Sequence, residues 1–578
     1  MLALILAGSL LGVVADSTPG ARLAALADLV WQHQTERDGG ARLRAGLPVL
    51  HLPDFSEAGA RADAAFWRKV GTTLTRLPGR GLSDDEAVTR DILAWQAARA
   101  AEADRFYWYP SLVSPYAAPM NELASVFGAL PVASAEDRAR YLALVGEYGG
   151  VFRALHSKLE GQVRRHLVLT RPDLDLAVPF WKSYQVAGRS MPVWVGAERL
   201  AGVPQADREA FEQSLASLLD GPVRSALDSL VGYLSGAYYV AAPLGVGQAQ
   251  YPFGKEYYRY LVRLHTTTAV TPEVVFRVGE SQVDSLLREL DRVRQQVGFP
   301  GTVQEFKESL RKEPRYFVST PEAVGARLDG YSATMETKID SLFGWRPKAP
   351  YGTERLALAL EPNMTYGYYD APRPQRPKGI YFYNGSKLEE RNLGMAEGLA
   401  YHELVPGHHF QIASVWENQS QSRYRRDQLF TAYQEGWGDY ASMLGADAGL
   451  YRDPYSRAGR LMMEMMLGTR LVLDVGMNYY GWTLEKARQY IKDHSLETER
   501  QIATETLRYS ADIPGQALAY RMGSLAFRRI REKAKGALGG RWDVRKFHQL
   551  VLLSGAMPLD VLERRIDRFV AAELAAPQ

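Results

Sequence analysis

The stretch His402-Glu403-Leu404-Val405-Pro406-Gly407-His408-His409 decides how the rest of this chain is interpreted. It holds three of the ten histidines in a chain of 578 residues, and a glutamate directly follows the first of them. Neutral imidazole is the commonest protein ligand of zinc, and a carboxylate beside such an ion is a natural general base. The stretch therefore predicts a metal site with Glu403 as its base.

The spacing of the histidines departs from the common zinc-peptidase motif His-Glu-x-x-His, in which two histidines share one helix face. Pro406 stands where the second histidine would fall, and His408 comes later. On a regular helix His402 and His408 would be about 240° and roughly 9 Å apart, too far to share one ion. Proline breaks the helical hydrogen-bond pattern, and Gly407 tolerates unusual backbone angles. We therefore predict a kink at Pro406-Gly407 that brings His408 to His402.

A third ligand is expected from the helix-compatible segment Tyr433-Gln434-Glu435-Gly436-Trp437. Glu435 would complete a His-His-Glu site for one zinc ion with an open position, although manganese and iron also accept such ligands. His409 should point about 100° away from His408 if the helix resumes there, so it would support a ligand or face the substrate rather than bind the ion. If the helix resumes in another register, His409 is the ligand instead.

Several stretches together resemble a bacterial family known only as domain of unknown function 885 (DUF-885), over roughly residues 20 to 570. They are His402 to Gln411, Glu435 to Trp437, Pro514 to Tyr520, Tyr257 to Thr268 and Leu552 to Leu562. The resemblance implies a mainly helical, zincin-like fold similar to thimet oligopeptidase and Taq-type carboxypeptidase, with a deep channel and zinc at its floor. Family members often carry a second acid two helical turns after the glutamate, where this chain has Ser442, with Asp439 the nearest acid.

The late family segment also nominates residues that would act on the substrate. Stabilising the oxyanion of a tetrahedral intermediate requires a hydrogen-bond donor, and related peptidases place tyrosines from a similar segment over the zinc. Tyr520 is the first choice and Tyr509 the second, against the alternative that each is a packed helix tyrosine. Arg508, Arg521 and Gln516 are candidate substrate-binding residues, and the alternative for the arginines is a structural role.

Apolar spacing predicts helices at about 85 to 105, 135 to 168, 207 to 240 and 272 to 297. Strand-like, aromatic-rich stretches occur at Ala357 to Tyr369 and Gly379 to Asn384. They predict a small β-sheet beside the metal helix. The second stretch, which includes Tyr381, is a candidate edge strand that pairs with extended substrate, and the alternative is an internal strand.

Composition is that of an ordinary globular protein, and its length suggests two packed subdomains that line the channel. A net charge of +3 without a basic aromatic face argues against nucleic-acid binding. Cysteine is absent, which excludes thiolate catalysis and cysteine-ligated zinc. Residues 1–15 are apolar and end in Val-Val-Ala, a pattern that favours a signal peptide. The run is too short to be a membrane-spanning helix, which needs about 20 residues. We expect a domain of residues 16–578 in the periplasm or secreted, or in the cytoplasm if this run is not a signal.

Two classes of function compete. The first is a zinc hydrolase that cleaves short peptides, as an oligopeptidase or a carboxypeptidase, or that cleaves a non-peptide amide. The second is a catalytically inactive helical protein that binds peptides or small ligands. Metal analysis followed by hydrolysis of a peptide library distinguishes them. The oligomeric state is not indicated by any pattern in the chain.

Overall fold

The computed structural model describes residues 18–361, 364, 366–373 and 376–577. The described chain is mainly helical with one small three-stranded sheet, which confirms the predicted helical class and the presence of a small sheet. The expected signal peptide, residues 1–15, lies outside the described residues. Among the described helices, none has the length and apolar character needed to cross a membrane.

The chain divides into two compact units. The first consists of Met1–Tyr257 and Ala511–Ile513, and its core gathers around buried aromatic residues such as Phe127, Phe152 and Trp181. Its α-helices are α1 Pro19–Glu36, α2 Gly39–Arg44, α3 Glu57–Thr75, α4 Asp84–Ala103, α5 Met120–Ala129, α6 Ala135–Arg164, α7 Arg171–Lys182, α8 Gln205–Leu218 and α9 Arg224–Tyr233. Short 3-10 turns occupy Asp104–Phe106, Gly188–Ser190, Ala197–Leu200 and Gln248–Gln250.

The second unit consists of Tyr258–Ser510 and Pro514–Gln578, and it begins within α10, Gly254–Thr266. Every candidate site residue named above belongs to this unit. Its further α-helices are α11 Pro272–Gln296, α12 Val303–Leu310, α13 Pro321–Glu336, α14 Ile339–Leu342, α15 Ala396–Glu403, α16 His408–Glu417, α17 Arg423–Arg426, α18 Thr431–Asp447, α19 Pro454–Asn478, α20 Leu484–His494, α21 Glu499–Leu507, α22 Leu518–Leu538, α23 Val544–Leu553 and α24 Leu559–Ala575. Short 3-10 turns lie at Pro314–Tyr316 and Gly539–Arg541.

The predicted helix over residues 207 to 240 is interrupted. It begins as α8 and continues as α9, with π-helical turns at Leu219–Val223 and Leu234–Tyr238. Non-helical backbone angles fall at Gly221, directly before Pro222, and at Gly236. Pro222 removes one helical hydrogen bond and Gly221 accepts the resulting angles, whereas at Gly236 the glycine alone permits the break. The apolar period therefore continues through a helix that is kinked at two points.

The sheet differs from the predicted one in the number and bounds of its strands. Strand β1 is Tyr351–Arg355, β2 is Gly367–Asp370 and β3 is Gly379–Tyr383, arranged β1-β3-β2. The central strand β3 pairs in parallel with β1 and antiparallel with β2. The prediction of β3 as a substrate-pairing edge strand is therefore wrong, because its backbone groups on both sides already pair within the sheet.

The sequence predicted a strand that begins at Ala357, but in the structure the strand begins only at Gly367. Before that, Leu360 N–H bonds back to the carbonyl of Ala357 and closes a turn. The side chains of Leu358 and Leu360 are largely exposed, which removes the burial that would favour a strand.

The helices that carry the candidate site are packed around α18. This helix packs closely along α22 and against α15. On the neighbouring helix α19, Asp453 caps the N-terminus by accepting hydrogen bonds from the N–H groups of Tyr455 and Ser456, and Pro454 fills the first turn. The site thus rests on buried helices rather than on exposed loops.

Candidate metal centre

Three side chains from three helices converge. His402 lies in the last turn of α15, His408 opens α16 and Glu435 lies in α18. The Nε2 atoms of His402 and His408 are each 3.5 Å from Oε2 of Glu435, and the two imidazole centroids are 4.7 Å apart. The structure therefore brings together the three residues that the sequence nominated as ligands.

The chain reaches this arrangement through the predicted kink. Helix α15 ends at Glu403, and Leu404 and Gly407 have non-helical backbone angles. A Cβ atom at Gly407 would lie within 2.4 Å of the carbonyl oxygen of Tyr401, so only glycine fits this approach. The Trp437 indole N–H donates to the carbonyl of Pro406 at 2.9 Å and ties the kink to α18.

The geometry of the three residues suits a small divalent ion. A separation of 3.5 Å exceeds the usual N–H···O distance of about 2.7–3.2 Å. It is close to the edge of about 3.4 Å expected for a tetrahedron with bonds of about 2.1 Å. The Nδ1 atoms of both histidines are buried and have no hydrogen-bond partner among the described residues. Two imidazoles and one carboxylate are a donor set that zinc accepts.

The electrostatics of the cluster couple the Glu435 carboxylate to the two histidines. Burial opposes the charge on Glu435, but the two adjacent histidines hold the pKa of its carboxyl well below its usual range. Burial also opposes protonation of His408, yet the Glu435 carboxylate raises the pKa of this imidazole overall. The ionised carboxylate of Glu435 therefore faces the imidazoles of His402 and His408 where a metal ion would bind.

Glu403, the candidate base, is half-buried beside this cluster. Burial raises the pKa of its carboxyl, while His402 and His408 act in the opposite direction. Two tyrosines of the sheet, Tyr369 and Tyr381, lie within electrostatic reach of it. Tyr381 is buried on the central strand, and burial raises its pKa well above the usual range.

His409 lies outside the cluster. Its Nδ1 is 2.9 Å from the Tyr369 hydroxyl, and its Nε2 is 3.0 Å from the carbonyl oxygen of Ala349. Nε2 therefore donates to the carbonyl, and Nδ1 accepts from the tyrosine. Burial lowers the pKa of this imidazole to about 4. Because both nitrogens are engaged, His409 braces α16 against the sheet in this structure.

The face of α18 beneath His402 has little free space. A Cβ atom at Gly438 would lie 2.7 to 2.9 Å from three atoms of the His402 ring. The Ser442 hydroxyl donates to the carbonyl of Gly398 at 2.9 Å and joins α18 to α15. The imidazole is therefore seated against the helix that also supplies Glu435.

Arg521, a candidate substrate-binding residue, lies in a buried network. Its guanidinium is 2.9 Å from Glu464 and 3.6 Å from Asp439, and it donates to Gln282. It is 1% exposed. These contacts favour the structural alternative, in which Arg521 neutralises two buried carboxylates.

Tyr520 lies beside the candidate ligand His402. Its ring is nearly parallel to the His402 imidazole, with centroids 6.4 Å apart. Burial and the nearby Glu435 raise its pKa to about 12. Tyr509 is fully buried and donates its hydroxyl hydrogen to Glu505. Arg508 donates to Gln516 at 3.2 Å and lies 3.6 Å from Glu505.

Sequence reasoning missed Gly438 and the charged pair Arg470 and Glu505. A signal for Gly438 was available, because two glycines within one helix, Gly436 and Gly438, cost helix stability and mark a close approach. Arg470 and Glu505 belong to α19 and α21, far apart in the chain, and their contact of 3.0 Å had no local signal.

Comparison with known proteins places the chain in a family. The chain belongs to the family described as bacterial protein of unknown function (DUF885), whose model matches residues 41–566. No curated protein matches the chain.

Two solved structures share the fold, and each is described as a "putative lipoprotein". The protein from Colwellia psychrerythraea has a TM-score of 0.85 at 21% identity, covering 96% of this chain and 100% of that chain. The one from Shewanella oneidensis, of unknown function, has a TM-score of 0.72 at 17% identity, covering 94% of this chain and 99% of that chain.

Proposed function

We propose that this protein is a zinc-dependent hydrolase that cleaves peptide bonds of short peptides. The observation that carries the proposal is the convergence of His402, His408 and Glu435 from three helices, with Glu403 directly beside them. A His-His-Glu site with a neighbouring free carboxylate is the arrangement that metal-assisted hydrolysis requires.

Each residue has a defined role in this proposal. His402, His408 and Glu435 would hold one ion, which would polarise the scissile carbonyl and make a water molecule more acidic. Glu403 takes the proton from the attacking water and passes it to the leaving amine. Tyr520, next to His402, donates a hydrogen bond to the oxygen that becomes negatively charged.

The site and its sheet favour short or extended substrates. The candidate ligand side chains are 7%, 13% and 23% exposed, which leaves little room for a folded protein to approach. Strand β2 lies at the edge of the sheet, and its Tyr369 contacts His409, the neighbour of a ligand. We place the main chain of the substrate along β2, where backbone hydrogen bonds do not depend on side-chain identity.

An extracytoplasmic location fits the proposal. Two proteins of the same fold are each described as a "putative lipoprotein", and a lipoprotein lies outside the cytoplasm. The apolar run at residues 1–15 favours export as well. If the run is a signal peptide, N-terminal sequencing of protein from the native host should find a start at or near Asp16. An intact Met1 on cytoplasmic protein would contradict export.

The experiment is metal analysis of protein purified without chelator, followed by hydrolysis of a peptide library whose members carry free or blocked ends. We expect about one zinc per chain and metal-dependent cleavage that Glu403→Gln abolishes. Cleavage that requires a free carboxyl end would assign the carboxypeptidase mode. Stoichiometric metal without cleavage would overturn the peptidase assignment, and protein that binds no metal would overturn the hydrolase altogether.

A further inference from the structure

Glu505 is the centre of a cluster of polar side chains next to Tyr520. Its Oε2 lies 3.0 Å from Nη2 of Arg470 and accepts the hydroxyl hydrogen of Tyr509. Its Oε1 lies 3.6 Å from Nη1 of Arg508. The side chains of Glu505, Arg470 and Arg508 are 19%, 11% and 17% exposed, so their mutual charges are only partly screened by water.

Arg470 and Arg508 each connect Glu505 to the surroundings of Tyr520. The guanidinium carbon of Arg470 lies 4.9 Å from the centre of the Tyr520 ring, a cation–π distance. Arg508 donates to Oε1 of Gln516 at 3.2 Å, and both side chains lie near enough to the Tyr520 hydroxyl to lower its pKa. Tyr520 therefore has one arginine over its ring and the other, with Gln516, near its polar end.

The cluster joins three helices that are distant in sequence. Glu505 comes from α21, Arg470 from α19 and Tyr520 from α22. Two mostly buried guanidinium groups close to each other repel unless a carboxylate lies between them. Without the negative charge of Glu505, Arg470 would lose the partner that holds it over the tyrosine ring.

We propose that Glu505 is a positioning residue for Tyr520. Through Arg470 on one side and Arg508 with Gln516 on the other, it holds the tyrosine ring parallel to the His402 imidazole. The hydroxyl is thereby fixed where it can donate to the oxyanion of the substrate. The catalytic part of this inference rests on the proposed hydrolase, whereas the positional part does not.

The kinetic test is a double-mutant cycle of Glu505→Gln and Tyr520→Phe. Glutamine keeps the size of the side chain and removes its charge. We expect Glu505→Gln to lower kcat by about 10–100-fold, to change KM by less than about threefold and to leave zinc affinity unchanged. In the Tyr520→Phe background the same change should have little further effect, because the group through which it acts is gone. Full additivity of the two losses would overturn the proposal.

The positional test does not require activity. With 3-fluorotyrosine placed at position 520, the 19F resonance of zinc-loaded protein reports the surroundings of this ring. We expect Glu505→Gln to shift or broaden the resonance, and Arg470→Lys to give a smaller change because it retains the cation. An unchanged resonance in Glu505→Gln would overturn the proposal even if wild-type protein proves to have no hydrolytic activity.

Glu499→Gln is the matched control, since Glu499 opens the same helix and pairs with Lys492 at the exposed surface. It should change neither kcat nor the resonance of residue 520. Equal effects of the two variants would mean that α21 acts through its overall stability, which would also refute the role of Glu505. If wild-type protein cleaves nothing while the 19F result is as expected, the proposed hydrolase fails and the positioning role stands.

Discussion

Gly438→Ala should abolish tight metal binding without unfolding the protein. The added Cβ atom would lie 2.7 Å from Cε1, 2.8 Å from Nε2 and 2.9 Å from Nδ1 of His402. Ordinary carbon contacts begin near about 3.5 Å, so the ring must retreat by roughly 0.6–0.8 Å. The His408 ring, whose centroid lies 4.7 Å from that of His402, limits the movement on one side.

Such a displacement is large compared with the tolerance of a metal site. Ligand distances must stay within about 0.2 Å of their ideal values. We therefore expect the affinity for zinc to fall by more than about 100-fold, beyond the 10–100-fold typical of changes next to a ligand. The backbone of α18 should remain helical, because alanine is a better helix former than glycine.

The assay is titration of metal-free protein with zinc against a chromophoric chelator, together with thermal unfolding of the metal-free form. Gly536→Ala is the matched control, since a Cβ added at this helical glycine of α22 would meet no neighbouring atom within 4 Å among the described residues. The control should keep wild-type affinity and gain roughly 0.5–1 kcal/mol of stability. Zinc affinity of Gly438→Ala within about threefold of wild type would refute the placement of His402 as a ligand.

Three further predictions test other parts of the account. Glu403→Gln should keep its metal and lose about 10²–10⁴-fold in turnover; activity per bound metal that survives would exclude Glu403 as the base. His408→Ala should purify free of metal, whereas His409→Ala should retain it with altered kinetics, and metal analysis showing the reverse would make His409 the ligand. Burial raises the pKa of Asp474 to about 7, so this carboxyl keeps its proton in the folded state at pH values where the unfolded chain has lost it. The contribution of Asp474 to the free energy of unfolding should be complete below about pH 4. It should fall by up to about 4 kcal/mol as the pH rises to 7, as measured by thermal unfolding of the metal-free protein. Asp474→Asn should lack this dependence, and parallel pH profiles for the two proteins would contradict the assignment.

The candidate ligands could be nominated from sequence because the break between the two histidines depends on local backbone chemistry. The proline at 406 forbids a continuous helix, and Gly407 permits the break, so the distance between His402 and His408 was open to reasoning from backbone chemistry alone. Glu435 followed from its place in a helix-compatible segment near two histidines. The kink that the structure contains between Glu403 and His408 confirms that inference.

The parts that failed depend on contacts between distant segments. The residues of β3 favour a strand, and this could be seen from the sequence. Its central position depends on pairing with β1 and β2, and no local sequence pattern predicts the order of the strands. Arg521 looks like a free cation beside a family motif until Glu464 and Asp439 approach it from other helices. A charged residue reveals its role only when its partners are known.

The central claim is that His402, His408 and Glu435 hold a metal ion. The most direct test is anomalous diffraction at the zinc absorption edge from crystals of protein purified without chelator. We predict a single strong peak at about 2.0–2.2 Å from Nε2 of both histidines and from the Glu435 carboxylate. Crystals of zinc-loaded protein that show no peak between these three side chains, or a peak bound by His409 in place of His408, would contradict it.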